Sequence, residues 1–425
     1  MQLKPNRDLK RVLAAASASL LALNSAQAQD AWEVDAEILY YQEQDDRVQD
    51  VSFKSLAKGT IRDDDQLTLS LQYDTLTGAS PTGAATQNAT QTFTSASGGG
   101  NVVVPANELP LDDAFRDNRT ALSGHYQHTL ANGARFSNGL TFSKEYDYLH
   151  LGVNTAYAFD FNNNNRTLSV GLSLGNDTVE SVGGNPVPNT FVSSDGGTKF
   201  TTNEESKTVF DFLIGFTQII NRRSLVQFNY SATVFEGYLN DPYKFISVLD
   251  DDGSLAAAGG GQGGLYRYEN RPDSRTGHNF YVEYKYRFDR SIANLAYRFH
   301  TDDWGINSHT VESRYRWLID AKQWLEPNIR IYSQSAADFY TPFVFDSNLP
   351  SQSSSDYRLN EFNGVTVGLS YKRKLSKNNA IGFSVESYRT TGADASIASP
   401  TGDIVTAKST DLTASIFRLN YSFKF

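Results

Sequence analysis

The densest set of chemically capable side chains lies between residues 283 and 330. Glu283, Lys285 and Arg287 alternate along the chain, followed by Arg298, then Glu312, Arg314 and Arg316, then Glu326 and Arg330. A spacing of two places each set on one face of an extended strand. Strands about 4.8 Å apart would bring the sets within reach of one another. Such a face suits two roles. It can be a basic wall that sets a transverse field across a pore, with Asp250-Asp251-Asp252-Gly253 as the opposing acid. More plainly, it can be a self-neutralising ion-pair network that fills and stiffens an interior.

Nucleophilic and metal chemistry find less support. The histidines are His125, His128, His150, His278, His300 and His309, and there is no cysteine, which excludes disulfides, thiolate metal sites and covalently attached c-type haem. His300 beside Asp302-Asp303 is the one arrangement of the kind an acid–base hydrolase uses. Ser137-Asn138-Gly139 partly resembles the nucleophile motif of outer-membrane phospholipases, but Arg135 stands where that motif needs histidine, so the match fails. The acidic runs at 63–65 and 250–252 read as solvated turns; the latter lacks EF-hand spacing. A protein that is not an enzyme, with no cofactor and no bound metal, is expected.

The elements that must position these groups are announced by the C-terminus. Phe417, Leu419, Tyr421, Phe423 and Phe425 share one face of a strand, and Arg418, Asn420, Ser422 and Lys424 share the other. A soluble domain rarely ends on an aromatic strand, because termini fray. A strand whose apolar face meets lipid can end so, and the pattern resembles the signal by which Gram-negative cells recognise outer-membrane barrels for assembly. At the other end, Lys4, Arg7, Lys10 and Arg11, an apolar run over 12–23 and Ala26-Gln27-Ala28 predict a cleaved signal peptide over residues 1–28. That apolar run would span only about 18 Å as a helix, against roughly 30 Å of bilayer core. Residues 29–425 are expected to form a single domain. The formal charge of -10 argues against a nucleic-acid partner, and 12% aromatic residues suit interfacial girdles.

Tight connections near 131–133, 162–165, 221–223, 289–290 and 376–379, with a slightly longer one near 320–323, alternate with long polar stretches over 77–115, 177–206, 240–274, 341–357 and 390–410. Two further connections of the second class, near Asp147 and Asp302, are short. Counting back from Phe425 gives strands at about 411–425, 380–389, 361–375, 325–338, 304–317, 291–300, 275–288, 224–238, 207–220, 166–176, 149–160, 134–146, 116–130 and 65–76. A hairpin over 30–58, turning near Asp45-Asp46, makes the total sixteen, or fourteen if it lies outside the wall. The prediction is all-β: a transmembrane antiparallel outer-membrane β-barrel with short periplasmic turns, long extracellular loops and both termini on the short-turn side. Closure would set Glu33, Asp35 and Glu37 against Lys424 and Arg418.

Four segments carry a family resemblance: 74–81 (DTLTGASP), 237–244 (GYLNDPYK), 269–275 (ENRPDSR) and 334–340 (QSAADFY). Together they resemble a family of proteobacterial outer-membrane proteins known as a domain of unknown function, the 3570 family, over essentially the whole chain after the leader. The resemblance implies an outer-membrane barrel and supplies no reaction; gene neighbourhoods of its members hint at envelope redox work. Read physically, the motifs sit where strands reach the loop end. Asn240, Asp241, Pro242, Arg271, Pro272, Asp273 and Arg275 are candidate outer-rim residues, with Arg271 and Arg275 expected to pair with Asp241. Tyr238, Tyr243, Tyr268 and Tyr340 are expected in the outer aromatic girdle.

The expected function is a passive, porin-like solute channel. A non-conducting barrel that scaffolds or sheathes an envelope partner is the alternative, and an outer-membrane hydrolase comes third. Expected partners are outer-membrane lipid and lipopolysaccharide, the barrel-assembly machinery and small solutes.

Overall fold

The structure is a computed structural model that describes residues 32–45, 47–87, 91–94, 101–106, 108–192, 201–257 and 265–425; the expected signal peptide lies outside them. Alternation of apolar and polar residues builds sixteen wall strands: β1 Trp32–Glu43, β2 Gln49–Arg62, β3 Asp65–Pro81, β4 Leu111–Thr129, β5 Arg135–Lys144, β6 Tyr148–Phe161, β7 Arg166–Val179, β8 Glu205–Asn221, β9 Ser224–Gly237, β10 Ser274–Arg287, β11 Ser291–Asp302, β12 Asn307–Leu318, β13 Gln323–Gln334, β14 Phe362–Lys374, β15 Asn379–Gly392 and β16 Leu412–Lys424. They form one closed barrel, each strand antiparallel to its neighbours in order. β1 closes on β16 with Glu33 opposite Lys424 and Tyr40 opposite Phe417.

At this seam Lys424 Nζ lies 3.0 Å from Glu33, and the Ser422 hydroxyl donates to Asp35. Arg418, expected at the same seam, instead pairs with Glu386 of β15 at 3.0 Å. Its register explains this: Arg418 faces Leu39 on β1 and Ser384 on β15, so the nearer carboxylate is on the β15 side.

The tight turns have local causes. Asn162, Asn163 and Asn164 take φ of 55°, 54° and 61°, a left-handed conformation asparagine tolerates. β12 starts three residues later than expected because Asp302 closes a turn there. Its carboxylate accepts the Trp304 and Ile306 N–H groups, each at 3.0 Å. Gly237 (φ 114°) ends β9; a side chain there would collide with the Ser206 carbonyl.

Outward, Leu140, Leu151, Leu295, Ile331, Val367 and Phe383 stand exposed around the wall. An apolar belt of this extent is a lipid-facing surface, and the barrel spans a membrane. The lumen has two unlike arcs. Over β5–β8 it carries small residues such as Ser137, Gly139, Gly152, Ala156 and Gly175, by the same alternation. Over β10–β16 it carries the charges.

Most of the packed core lies outside the wall, which holds a smaller cluster of Ala36, Val51 and Phe53. Phe191–Val192, Tyr266–Tyr268, Phe245–Leu249 and Phe343–Phe345, drawn from three long connections, form a four-stranded sheet at the loop end. Phe245, Ile246, Val248, Leu249, Tyr266 and Phe343 are fully buried within it.

Candidate functional site

The charged arc is partly paired. Lys285 lies 3.1 Å from Glu283, Arg314 2.5 Å from Glu312, and Arg316 2.6 Å from Glu326. Arg298 sits over the Tyr281 ring at 5.6 Å, and Arg316 over Trp324 at 5.5 Å. Arg330 stands opposite Glu312 in register, and Arg287 lies near the short-turn end of β10 opposite Ile292. Glu312, Arg314, Glu326, Arg330, Glu386 and Arg418 line a cavity of about 770 Å³ that continues to Glu37 and Tyr41 of β1. Lys285, Arg314 and Arg316 are thus paired, while Arg287, Arg298 and Arg330 make no ion pair among the described residues. The acid proposed to oppose this arc is elsewhere: Asp250 and Gly253 close a turn, Asp251 accepts the Ser347 hydroxyl at 2.5 Å, and Asp252 accepts that of Ser254 at 2.6 Å, all in the loop cap.

The outer-rim motifs converge on an ionic knot that crosses the mouth. Arg271 Nε meets Glu269 at 2.7 Å and its Nη2 meets Asp356 at 2.9 Å. The Arg271 N–H donates to Asn240 Oδ1 at 2.7 Å, and the Asp241 N–H donates to Glu269 at 2.5 Å. Asp241 pairs with Arg358 at 2.7 Å, and Arg358 also holds Asp356. The expectation that Arg271 and Arg275 pair with Asp241 is thus corrected. Arg358, from the β13–β14 connection, arrives first at Asp241. Arg275 is on β10 and pairs with Asp302 at 2.5 Å, its guanidinium 4.6 Å from the Trp304 ring centre. Pro272 and Asp273 turn the chain into β10, where the Asp273 carbonyl accepts the Gly237 N–H at 2.8 Å; Pro242 lines an adjoining cavity.

Burial dominates the electrostatics of this knot. It pushes the Glu269 carboxyl up, with Arg271 opposing. At Asp241 burial also pushes up, but Lys244, Arg358 and Arg271 together hold the group below the ordinary carboxylate range. Asp356 is held low too, chiefly by Arg358 against burial. Unpaired, such charges would each cost several kcal/mol. Matching Arg271, Arg358 and Lys244 to Asp241, Glu269 and Asp356 makes a neutral, rigid plug.

The plug is fastened all round. Tyr243 donates its hydroxyl to Asp147, and Lys244 Nζ donates to the Pro81 carbonyl. The Phe245 N–H donates to Thr82 at 3.1 Å, Gln334 donates to the Asn360 carbonyl at 2.8 Å, and Phe339 packs edge-on against Trp304 at 5.0 Å. Hence the expected girdle tyrosines serve another role. Tyr268 is buried in the loop sheet, Tyr243 ties the plug to the wall, and Tyr340 bridges to Ser354.

Free space runs past the plug. A narrower space of about 210 Å³ shares Tyr41, Phe362 and Tyr388 with the lumen cavity, and shares Tyr357 and Arg358 with a larger one of about 980 Å³ against β1–β4. A third of about 500 Å³ lies against β6–β10. Arg358 borders all three outer spaces. Asp117, Glu145 and Asp147 bring carboxylate oxygens within 4.8 Å of one another at the edge of the large space.

Three histidine–aspartate contacts lie among the described residues, the first being His128 Nδ1 at 2.7 Å from Asp65, which also accepts the Tyr126 hydroxyl at 2.8 Å. His300 Nε2 lies 3.1 Å from Asp302, whose carboxylate is committed to Arg275 and the hairpin N–H groups, so this expected pair fastens a turn. On the small-residue arc, Thr141 Oγ1 lies 3.1 Å from His150 Nε2, and His150 Nδ1 lies 2.6 Å from Asp177. Asp177 also accepts the Tyr148 hydroxyl and lies 3.3 Å from Lys207. Gly152 and Gly175 clear the seat for His150: a side chain at either would strike the ring. No local pattern announces this chain of contacts, since its members come from four strands. At the C-terminus, the rings of Tyr421, Phe423 and Phe425 stack at 5.9 and 5.8 Å, Phe417 and Leu419 stand exposed, and Phe425 exchanges backbone hydrogen bonds with Trp32 at 2.8 and 3.0 Å.

Among curated proteins no match to the chain is found. Among solved structures it is similar to the siderophore receptor PirA from Acinetobacter baumannii, with 10% identity, TM-score 0.42 and coverage of 93% of this chain and 60% of that one. The chain thus spans less than two thirds of the receptor's length. It is also similar to OmpT, an outer membrane protein of Vibrio cholerae (9% identity, 94% and 99% covered, TM-score 0.41), and to Pseudomonas aeruginosa OpdQ (7%, 94% and 99%, 0.41). The barrel itself is established by its own hydrogen-bonded ladders. Residues 10–423 match the family model described as "Protein of unknown function (DUF3570)", and the chain belongs to that family.

Proposed function

We propose that the protein is a passive channel for small solutes in the Gram-negative outer membrane, reached after removal of a signal peptide and narrowed at its outer end by a fixed plug of its own loops. The observation that carries this reading is the succession of cavities that share lining residues, from the lumen past Tyr41 and Tyr388 and past Arg358 to the space against β1–β4. A sixteen-stranded wall is wide enough for an aqueous path. Lipid and lipopolysaccharide surround the belt, and the terminal strand presents the face that the assembly machinery would read.

The test is single-channel recording of the refolded protein in planar bilayers. Discrete steps whose size changes when Arg314 and Arg316 are both replaced by glutamine support the reading. Silence from a protein with the heat-modifiable migration of a closed barrel favours the second one, a non-conducting scaffold, which the fastening of the plug on every side supports. A hydrolase reading draws chiefly on the Thr141–His150–Asp177 contacts, and the sharing of Asp177 with Tyr148 and Lys207 fits a lumen fastening better.

A further inference from the structure

The plug divides the outer lumen into two spaces of different size and charge. We propose that the larger one, between the plug and β1–β4, is a cation-selective passage that sets the solute class of the channel. This rests on the channel reading above.

Two features carry it together. First, the space is the roomiest beside the plug, about 980 Å³ against about 500 Å³ on the far side. Second, its charges are unbalanced. Asp50, Asp74, Asp117, Glu145, Asp147 and Asp241 line it. Four cations stand against these six acids: Arg116, Arg119 (2.7 Å from Asp74), Arg358 (paired with Asp241 and Asp356) and Lys244. Among the described residues, none of Asp50, Asp117, Glu145 and Asp147 makes an ion pair. Asp50 is met by Ser52 and the Thr75 N–H, and Asp147 by the Tyr243 hydroxyl. The smaller space holds Glu145, Asp147 and Asp241 at the shared edge, but sets Lys207, Arg271, Arg275 and Arg358 against them. The plug face made by Asp241, Tyr243 and Arg358 therefore separates an acidic route from a compensated one.

A low-dielectric wall focuses such a field, so a small cation is drawn into the larger route and an anion repelled. Asp117, Glu145 and Asp147 gather at one edge of this space, their carboxylate oxygens within 4.8 Å of one another. The ligand class is a small monovalent cation, inorganic or a primary ammonium.

The test is the reversal potential of the refolded full-length mature protein in a potassium chloride gradient, compared with a variant carrying Asp117→Asn, Glu145→Gln and Asp147→Asn. The unaltered protein is expected to prefer potassium over chloride, and the variant to lose at least about half of that preference while keeping its conductance steps. Asp117→Asn alone, with a smaller loss, serves if the triple variant does not fold. A conducting protein with unchanged or chloride-favouring selectivity overturns the cation passage and leaves the channel reading standing. A folded protein that never conducts overturns both.

Discussion

Replacing Arg271 by alanine should loosen the plug without unfolding the barrel. Arg271 neutralises two carboxylates that are almost fully buried, Glu269 and Asp356. Removing one partner of a buried ion pair costs about 3–5 kcal/mol, because the other charge is left uncompensated. Here the loss is cushioned. Asp356 keeps Arg358, and Glu269 keeps the Ser354 hydroxyl and the Asp241 N–H. The lower end, about 3 kcal/mol, is the expected cost, which at 1.4 kcal/mol per factor of ten raises the detached population about a hundredfold. No wall ladder passes through these residues, so heat-modifiable migration should not change. Proteolysis reads the result, since cleavage tracks the open population when closing is fast. Cutting within residues 238–273 of the folded protein should accelerate strongly. Combining Arg271→Ala with Glu269→Gln should recover part of the loss, because the amide oxygen still accepts the Asp241 N–H and its NH2 can donate to the Ser354 hydroxyl oxygen, with no buried charge. Unchanged cleavage in a folded Arg271→Ala protein would refute the knot as the fastening of the plug.

Other outcomes follow from the same structure. Phe425→Asp breaks the terminal ring stack, and the fraction of protein assembled in the outer membrane should fall while export continues; normal assembly would remove the role given to that strand. Gly152→Val collides with Thr141 and His150, and overpacking of this kind should cost about 1–3 kcal/mol, read as a lower midpoint of heat modification. Lys424→Ala removes an exposed seam pair and should change that midpoint little, by less than about 1 kcal/mol. Glu145 lies in the β5–β6 connection and is pushed up to about 7 by burial, then by Asp117, with Asp147 adding and Arg119 opposing. Lowering the pH through about 7 should therefore protonate it and weaken cation preference. The linked stability runs the other way. The unfolded carboxyl ionises first as pH rises, so the stability this group contributes is present at low pH and lost towards about 7. Selectivity that stays flat across neutral pH would exclude Glu145 from the passage.

The wall was legible because its rule is local. Each strand repeats an apolar–polar period of two, and residues such as Phe280, Val282 and Tyr284 declare their face without knowledge of any partner. The seam pair Glu33–Lys424 followed from strand parity alone, whereas Arg418 depended on which of two neighbours offered the closer carboxylate. The plug was illegible for the opposite reason. Phe245–Leu249 is buried on both faces and carries no alternation, so nothing in its pattern announces a sheet strand. One of its partner strands, Phe343–Phe345, lies 96 residues further on (Ser247 opposite Phe343), a separation that local pattern cannot bridge. The tyrosines were misplaced because an aromatic at a strand end suits a girdle and a buried loop core equally. The motif residues were found, but their partners Asp356 and Arg358 sit in a separate connection with no signal of their own.

The central claim is that solute moves through the lumen and round the plug along β1–β4. The chain contains no cysteine, so one introduced thiol is unique. Ser384 lines the lumen cavity and Asp117 the space beside the plug. The most direct measurement is the single-channel current of Ser384→Cys and Asp117→Cys proteins before and after a positively charged thiol reagent. A stepwise drop in current at both positions is predicted. Complete modification of both folded proteins with no change in current would contradict the account.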